Sequence, residues 1–332
     1  MKILMRGPNW VGDAVLAIPA MKAVRERYPD ADITLLVRPW VAGVFKSVPF
    51  IDHLWSEPRP AGVRDWIRIA RQIRSRRFDV SLLFPNSFES AAMMFLGRVP
   101  RRIGYATDGR GWLLTSRITP STAKRHQVHY YLDLAKALSA DTQPSIQISA
   151  SAEEKNQAAK LLASHGVPQG HPYMVLNPGA AYGSAKRWGE DGFAAAGDAL
   201  ACEFHLDVVI VGSEKERAIA EAIQKTMRSR VVVLNGKTTL ETLIGVISEA
   251  VLVLTNDSGP MHISAALGIP TVAVFGATDH VVTGPIGART RVVREPVECS
   301  PCMLRECPID HRCMTRVSAD SVCQAARELL HA

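Results

Sequence analysis

The densest chemical signal in the chain is Thr255-Asn256-Asp257-Ser258-Gly259-Pro260-Met261-His262, directly after the apolar run Val251 to Leu254. A buried strand, a polar turn and a helix opening at Pro260 would present free backbone N–H groups and the Ser258 hydroxyl to an anion. Gly259 allows the close approach that a side chain would block. A diphosphate suits that chemistry. Asp257 repels phosphate, so it is expected either to cap the helix or to bind sugar hydroxyls beside the phosphates. His262 falls in the first helical turn, where the dipole opposes protonation and favours a neutral, hydrogen-bonding imidazole.

A second loop, Asn177-Pro178-Gly179-Ala180-Ala181-Tyr182-Gly183-Ser184-Ala185-Lys186-Arg187-Trp188, combines turn glycines with two adjacent cations. Asn177 and Gly179 are read as donor-binding. Lys186 can neutralise charge on a departing phosphate, and Arg187 can form a salt bridge at the rim. Glu214, just past Val208 to Val211, either accepts hydrogen bonds from a ribose or simply complements a helix dipole.

The third loop opens the chain: Arg6-Gly7-Pro8-Asn9-Trp10-Val11-Gly12-Asp13, with a helix expected from about Ala14. Gly7, Asn9, Trp10 and Gly12 form the acceptor-side loop. Asp13 is then an N-cap or a base taking the proton of an attacking hydroxyl. Together the loops describe a sugar nucleotide in the C-terminal half and an acceptor near the N-terminal loop. Direct displacement at the anomeric carbon would invert configuration. No G-x-G-x-x-G or G-x-S-x-G occurs, and Gly236-Lys237-Thr238 lacks the glycine a phosphate-binding P-loop needs, which argues against ATP hydrolysis and serine acyl transfer.

Elements must hold these loops in place. Ile3 to Met5, Ile33 to Val37, Phe78 to Phe84 and Ile103 to Tyr105 read as strands, alternating with helical stretches such as the one presenting Trp66, Ile67, Ala70 and Ile73. After softer composition through 139–151, the Gly- and Pro-bearing segment 166–172 marks a boundary. Beyond it Met174 to Leu176, Val208 to Val211, Val231 to Leu234, Val251 to Leu254 and Thr271 to Phe275 are continuous apolar runs, as strands covered on both faces require. The expectation is two parallel-sheet α/β domains facing a central cleft: residues 1–168 for the acceptor and 169–332 for the donor. The last helix, 317–330, is free to pack back on the first domain. Ligands of such sheets bind beyond the carboxyl ends of the strands, where all three loops lie.

The 332 residues allow two cores, and 47% apolar with 21% charged residues excludes disorder. Arg6 and Asp13 interrupt any secretory leader, and no run spans a bilayer. A formal charge of +7 favours an anionic partner. Arg64, Arg68, Arg71, Arg74, Arg76 and Arg77, with Lys124-Arg125-His126, suit a phosphate-rich acceptor or the surface of an anionic membrane. No nucleic-acid reading motif accompanies them. Cys299, Cys302, Cys307 and Cys313 are spaced C-x2-C-x4-C-x5-C, which either holds a zinc ion or packs as metal-free thiols bracing a local loop.

With these three loops the chain resembles the bacterial lipopolysaccharide heptosyltransferases of glycosyltransferase family 9, over essentially its whole length. The resemblance implies a GT-B fold of two Rossmann-like, doubly wound parallel-sheet domains. It implies inverting transfer of L-glycero-D-manno-heptose from ADP-heptose to the first heptose of the phosphorylated lipopolysaccharide inner core (Hep-Kdo2-lipid A), at the cytoplasmic, inner face of the inner membrane. Asp13 then matches the catalytic base and Lys186 the phosphate-contacting lysine, while Asp257, Ser258, Gly259 and His262 match the donor-binding turn. No cofactor is implied, and no nucleic-acid partner. The alternatives are another GT-B sugar-nucleotide transferase, an epimerase of related build, or a non-enzymatic phosphate- or lipopolysaccharide-binding module. A zinc-stabilised nucleic-acid binder stands behind these.

Overall fold

The computed structural model describes residues 1–331, which divide into two compact units, Met1–Ile146 and a second from Gln147 onward. In the first unit β1 (Lys2–Arg6) leads through α1 (Val11–Leu16) and α2 (Ile18–Arg27) to β2 (Asp32–Val37) and β3 (His53–Ser56). Then follow α3 (Val63–Arg76), β4 (Val80–Leu83), α4 (Phe88–Leu96), β5 (Arg101–Tyr105), β6 (Ser116–Ile118) and α5 (Gln127–Lys136). The six strands run in the order β3-β2-β1-β4-β5-β6, all parallel. Leu4, Leu36 and Leu83 pack beneath Ile69 and Ile73 of α3 and Met93 of α4. The alternate residues Ile3, Met5, Ile33 and Leu82 are equally buried, on the other face by the two-residue period of a strand.

The second unit begins with α6 (Ala152–Ser164), opened by a Ser151–Glu154 capping box. It continues with β7 (Tyr173–Asn177), α7 (Glu190–Phe204), β8 (Asp207–Ile210), α8 (Arg217–Thr226), β9 (Val231–Val233), α9 (Leu240–Ser248) and β10 (Leu252–Asn256). It closes with α10 (Gly259–Ala266), β11 (Thr271–Phe275), α11 (His280–Thr283), β12 (Thr290–Arg294), α12 (Arg312–Thr315) and α13 (Ala319–Leu330). Its parallel strands run β12-β11-β10-β7-β8-β9, which repeats the order of the first sheet. In each sheet the first strand of the unit sits between its second and fourth. The connections therefore leave that strand in opposite directions, and the ends of β1 and β4, and of β7 and β10, flank a switch point.

Three expectations need correction. The units part at Ile146, not at 168, because α6 packs on α9 and so belongs to the second core. Gly245 of α9 permits this: a Cβ there would come within 2.2 Å of the Glu154 carbonyl oxygen. The last helix also belongs to the second unit, where α13 packs on α7, β11 and β12 and buries Val322, Cys323, Ala326 and Leu329. On α3, Ile69 takes the buried place and Ile67 turns outward, because Ile69, Ala70 and Ile73 share one stripe at the helical period and position 67 falls to its side.

Candidate functional site

At the second switch point, the Asn177 amide donates to Thr255 Oγ1 (2.9 Å) and to Ser258 Oγ (2.7 Å), tying the end of β7 to the turn after β10. Asn256 fastens the other loop, accepting from the Trp188 N–H (2.9 Å) and donating to the Pro178 carbonyl (2.7 Å). The Ser258 side chain makes no capping bond although the residue is the N-cap of α10, so α10 opens with backbone N–H groups that this hydroxyl does not occupy. Gly259 is the first residue of α10, one earlier than expected, and His262 is buried within it.

Asp257 neither caps that helix nor stands alone. Its Oδ2 accepts from Lys186 Nζ at 2.6 Å and from Thr278 Oγ1 at 2.6 Å. A carboxylate this deeply buried needs a cation, and Lys186 supplies it. The ammonium also stands 4.9 Å from the centre of the Tyr182 ring, and of its three donor positions one serves Asp257. The lysine that sequence assigned to phosphate is therefore held at the mouth of α10 by the aspartate of the same turn. Arg187 makes no rim salt bridge among the described residues, and its buried Nε has no hydrogen-bond partner there.

Glu214 lies past the end of β8, exposed, with both oxygens held by Arg217 Nε and Nη2 at 2.6 Å; these bonds lower its pKa below the ordinary glutamate value. The buried acid of that loop is Glu216, which the sequence did not single out. Its Oε2 accepts from the Ser213 N–H (2.9 Å) and hydroxyl (2.7 Å). Gly179 makes room for it, since a Cβ at 179 would lie 2.2 Å from Glu216 Oε1. Gly179→Ala is expected to break the Glu216 capping box and lower stability by about 1–3 kcal/mol. A thermal melt reads this directly, and an unchanged Tm would show that the loop yields instead.

At the first switch point, α1 starts at Val11 with Trp10 as N-cap, so Asp13 is inside the first turn and is not the cap. No side-chain cap bond marks that start, which is why residue types misplaced it. Asp13 Oδ1 accepts from the hydroxyl of buried Tyr131 on α5 at 2.8 Å. Burial and the Asp13 charge push the Tyr131 phenol well above its usual pKa, which keeps it a donor. Arg6 is buried beneath the loop, donating to the Gly7 carbonyl at 2.5 Å and to Asn9 Oδ1 at 2.6 Å. Burial and nearby Arg38 bring its pKa down to about 9. Arg38, also buried, pairs with Glu89. Trp40 Nε1 donates to the Asn9 carbonyl at 2.7 Å, while Trp10 is exposed. Gly7 lies in this loop whereas Gly12 falls in the first turn of α1, and Val37 Cγ1 would be 2.7 Å from a Cβ at Gly7.

Cys299, Cys302, Cys307 and Cys313 lie along one segment, and among the described residues no three His, Cys, Asp or Glu side chains stand together as a metal site. That segment braces the lysine loop. The Arg305 carbonyl accepts from the Ala185 N–H at 3.0 Å, His311 Nε2 is 2.9 Å from the Ala185 oxygen, and Tyr182 donates to the Met303 carbonyl at 2.8 Å. Burial, with the charges of Cys299, Cys302 and Cys307, raises the pKa of the Cys313 thiol.

The structure aligns with that of the E. coli ADP-heptose lps heptosyltransferase II with a TM-score of 0.84 and 26% identity, covering 100% of this chain and 99% of the other. The architecture is thus the two-domain α/β GT-B fold, and the class is glycosyltransferase. Residues 66–312 match glycosyltransferase family 9 (heptosyltransferase), and the chain belongs to that family. It is 30% identical over 312 residues to the lipopolysaccharide heptosyltransferase 2 of Salmonella typhimurium, covering 89% of this chain and 88% of that one. To the lipooligosaccharide heptosyltransferase 2 of Campylobacter jejuni it is 30% identical over 338 residues, covering 99% and 98%.

Proposed function

We propose that this chain transfers L-glycero-D-manno-heptose from ADP-heptose to the first heptose of the lipopolysaccharide inner core, inverting the anomeric centre. The observation that carries the reading is the Lys186–Asp257 pair at the second switch point, beside the N–H groups of α10. It supplies a cation and backbone donors where a diphosphate would gain negative charge as it departs. The names of the relatives supply heptose and its ADP carrier. Asp13 takes the proton of the acceptor hydroxyl as that oxygen bonds to the anomeric carbon. The bond from that carbon to the diphosphate oxygen breaks, and ADP leaves with the electron pair. Asn177, Gly179, Ser258, Gly259 and His262 hold the donor, and Glu214 binds its ribose after releasing Arg217. Gly7, Asn9, Trp10 and Gly12 receive the acceptor, and buried Arg6 and Arg38 below them favour a phosphorylated one.

The acceptor is lipid-anchored, so the enzyme works in peripheral contact with the anionic cytoplasmic face of the inner membrane, without nucleic acid. Among the described residues no helix is long and apolar enough to cross a membrane. The test is incubation with ADP-heptose and purified one-heptose core. A new glycosidic bond with one ADP per transfer is expected. Isomerised donor with its diphosphate intact would make the protein an epimerase, and binding without turnover a binding module.

A further inference from the structure

The outer surface of the first unit carries an aromatic patch that its core does not use. Phe88 and Phe95, two helical turns apart on α4, are 43% and 44% exposed, and each packs against Trp112, which is 63% exposed. The ring centres lie 6.2 and 6.0 Å apart. Trp112 occupies a tight turn, Gly111–Leu113, whose next residue, Leu113, is buried in the same core as Ile73 and Met93. The turn is anchored below, and the indole is held outward. Leu96 and, on neighbouring α3, Ile67 are also exposed. Apolar side chains gathered in this way mark an interaction surface more often than chance exposure does.

The surround is cationic. The Arg102 guanidinium stands 5.4 Å from the Phe95 ring centre, Arg98 follows α4, and Arg71 and Arg74 are exposed on α3. Three acids of this layer are already paired, Glu57 and Asp65 with Arg68 and Glu89 with Arg38 and Arg59, while the exposed Asp108 accepts from the Phe88 N–H at 2.7 Å. Indole and phenyl rings ringed by arginines match one partner best, a lipid surface whose headgroups carry phosphate and whose interface accepts amphipathic aromatics.

We propose that the patch formed by Phe88, Phe95, Leu96 and Trp112 docks on an anionic bilayer. The rings enter the headgroup layer, and the arginines of α3 and α4 meet lipid phosphates. The choice of a lipid occupant rests on the function proposed above, whereas the surface is tested without it. Full-length protein is sedimented with vesicles of phosphatidylglycerol and phosphatidylcholine, and in parallel with phosphatidylcholine alone. Binding to the anionic vesicles is expected, lowered about tenfold or more in Phe95→Ser/Trp112→Ser. In Arg71→Glu/Arg74→Glu it should fall comparably, and the wild-type affinity should drop as salt is raised. Thermal melts should match wild type, because these side chains are exposed.

Transfer to a deacylated, water-soluble acceptor should be the same in the serine variant as in wild type. Equal wild-type binding to both vesicle types, or undiminished binding by the serine variant, would overturn the proposal. So would loss of turnover on the soluble acceptor in the serine variant, which would give the patch to acceptor sugars. Vesicle binding that follows this pattern in a protein without transferase activity would uphold the docking surface and remove the proposed function alone.

Discussion

Asp13→Asn is expected to fold, to bind ADP-heptose with near wild-type affinity, and to transfer heptose about a hundredfold to ten-thousandfold more slowly, the range over which a positioned general base acts. The amide keeps the size of the side chain and can still accept from the Tyr131 hydroxyl, so the 2.8 Å contact that orients position 13 survives the change. What is lost is the negative charge and, with it, the ability to take a proton. Donor affinity should be spared because the residues proposed to bind the donor belong to another unit of the chain. The pattern to look for is a fall in kcat with little change in the donor KM. Tyr131→Phe separates orientation from chemistry: it leaves the carboxylate in place but removes its tether, and a smaller loss, about tenfold, is expected. Turnover near wild type in Asp13→Asn would dismiss Asp13 as the base. A loss in Tyr131→Phe as large as in Asp13→Asn would shift the catalytic weight to the phenol.

How much of this was legible in the sequence depends on where each residue gets its partner. The central strands were readable because both their faces are covered, and β7, β10 and β11 are buried at every position. The edge strands β3, β6 and β12 escaped notice: they are partly exposed and carry polar residues, so no continuous apolar run announces them. The candidate loops could be placed at strand ends because apolar runs, glycines and polar residues follow one another in sequence. Their internal wiring could not. Nothing local indicates that Asp257 will take its cation from Lys186, or a hydroxyl from Thr278 beyond the next strand. Tyr131 is likewise far from Asp13 in the chain, and only the placement of α5 brings its hydroxyl to the carboxylate. Glu216 was overshadowed by Glu214 because both acids follow the same strand, and only the close approach of Gly179 shows which one is built in.

That wiring makes Lys186 the position where stability and catalysis must be pulled apart. Lys186→Ala should lower kcat/KM for the donor about a hundredfold to a thousandfold, by removing the cation beside the leaving diphosphate. It also strands Asp257, whose side chain is 5% exposed. Breaking a buried pair from one side typically costs about 3–5 kcal/mol, with the Thr278 hydroxyl left to offset part of it. A poor enzyme could therefore simply be a poorly folded one. Lys186→Ala/Asp257→Asn resolves the two effects: the amide is neutral, needs no cation, and can still accept from Thr278. Its Tm should recover most of what the single variant loses, while kcat/KM stays near the single variant's value. Asp257→Asn alone should keep more activity than either lysine variant, because the ammonium remains and no longer shares its charge with a carboxylate. If the double variant regained turnover along with its Tm, Lys186 would be a structural counter-ion to Asp257, and stabilisation of the departing diphosphate would fall to the backbone N–H groups of α10.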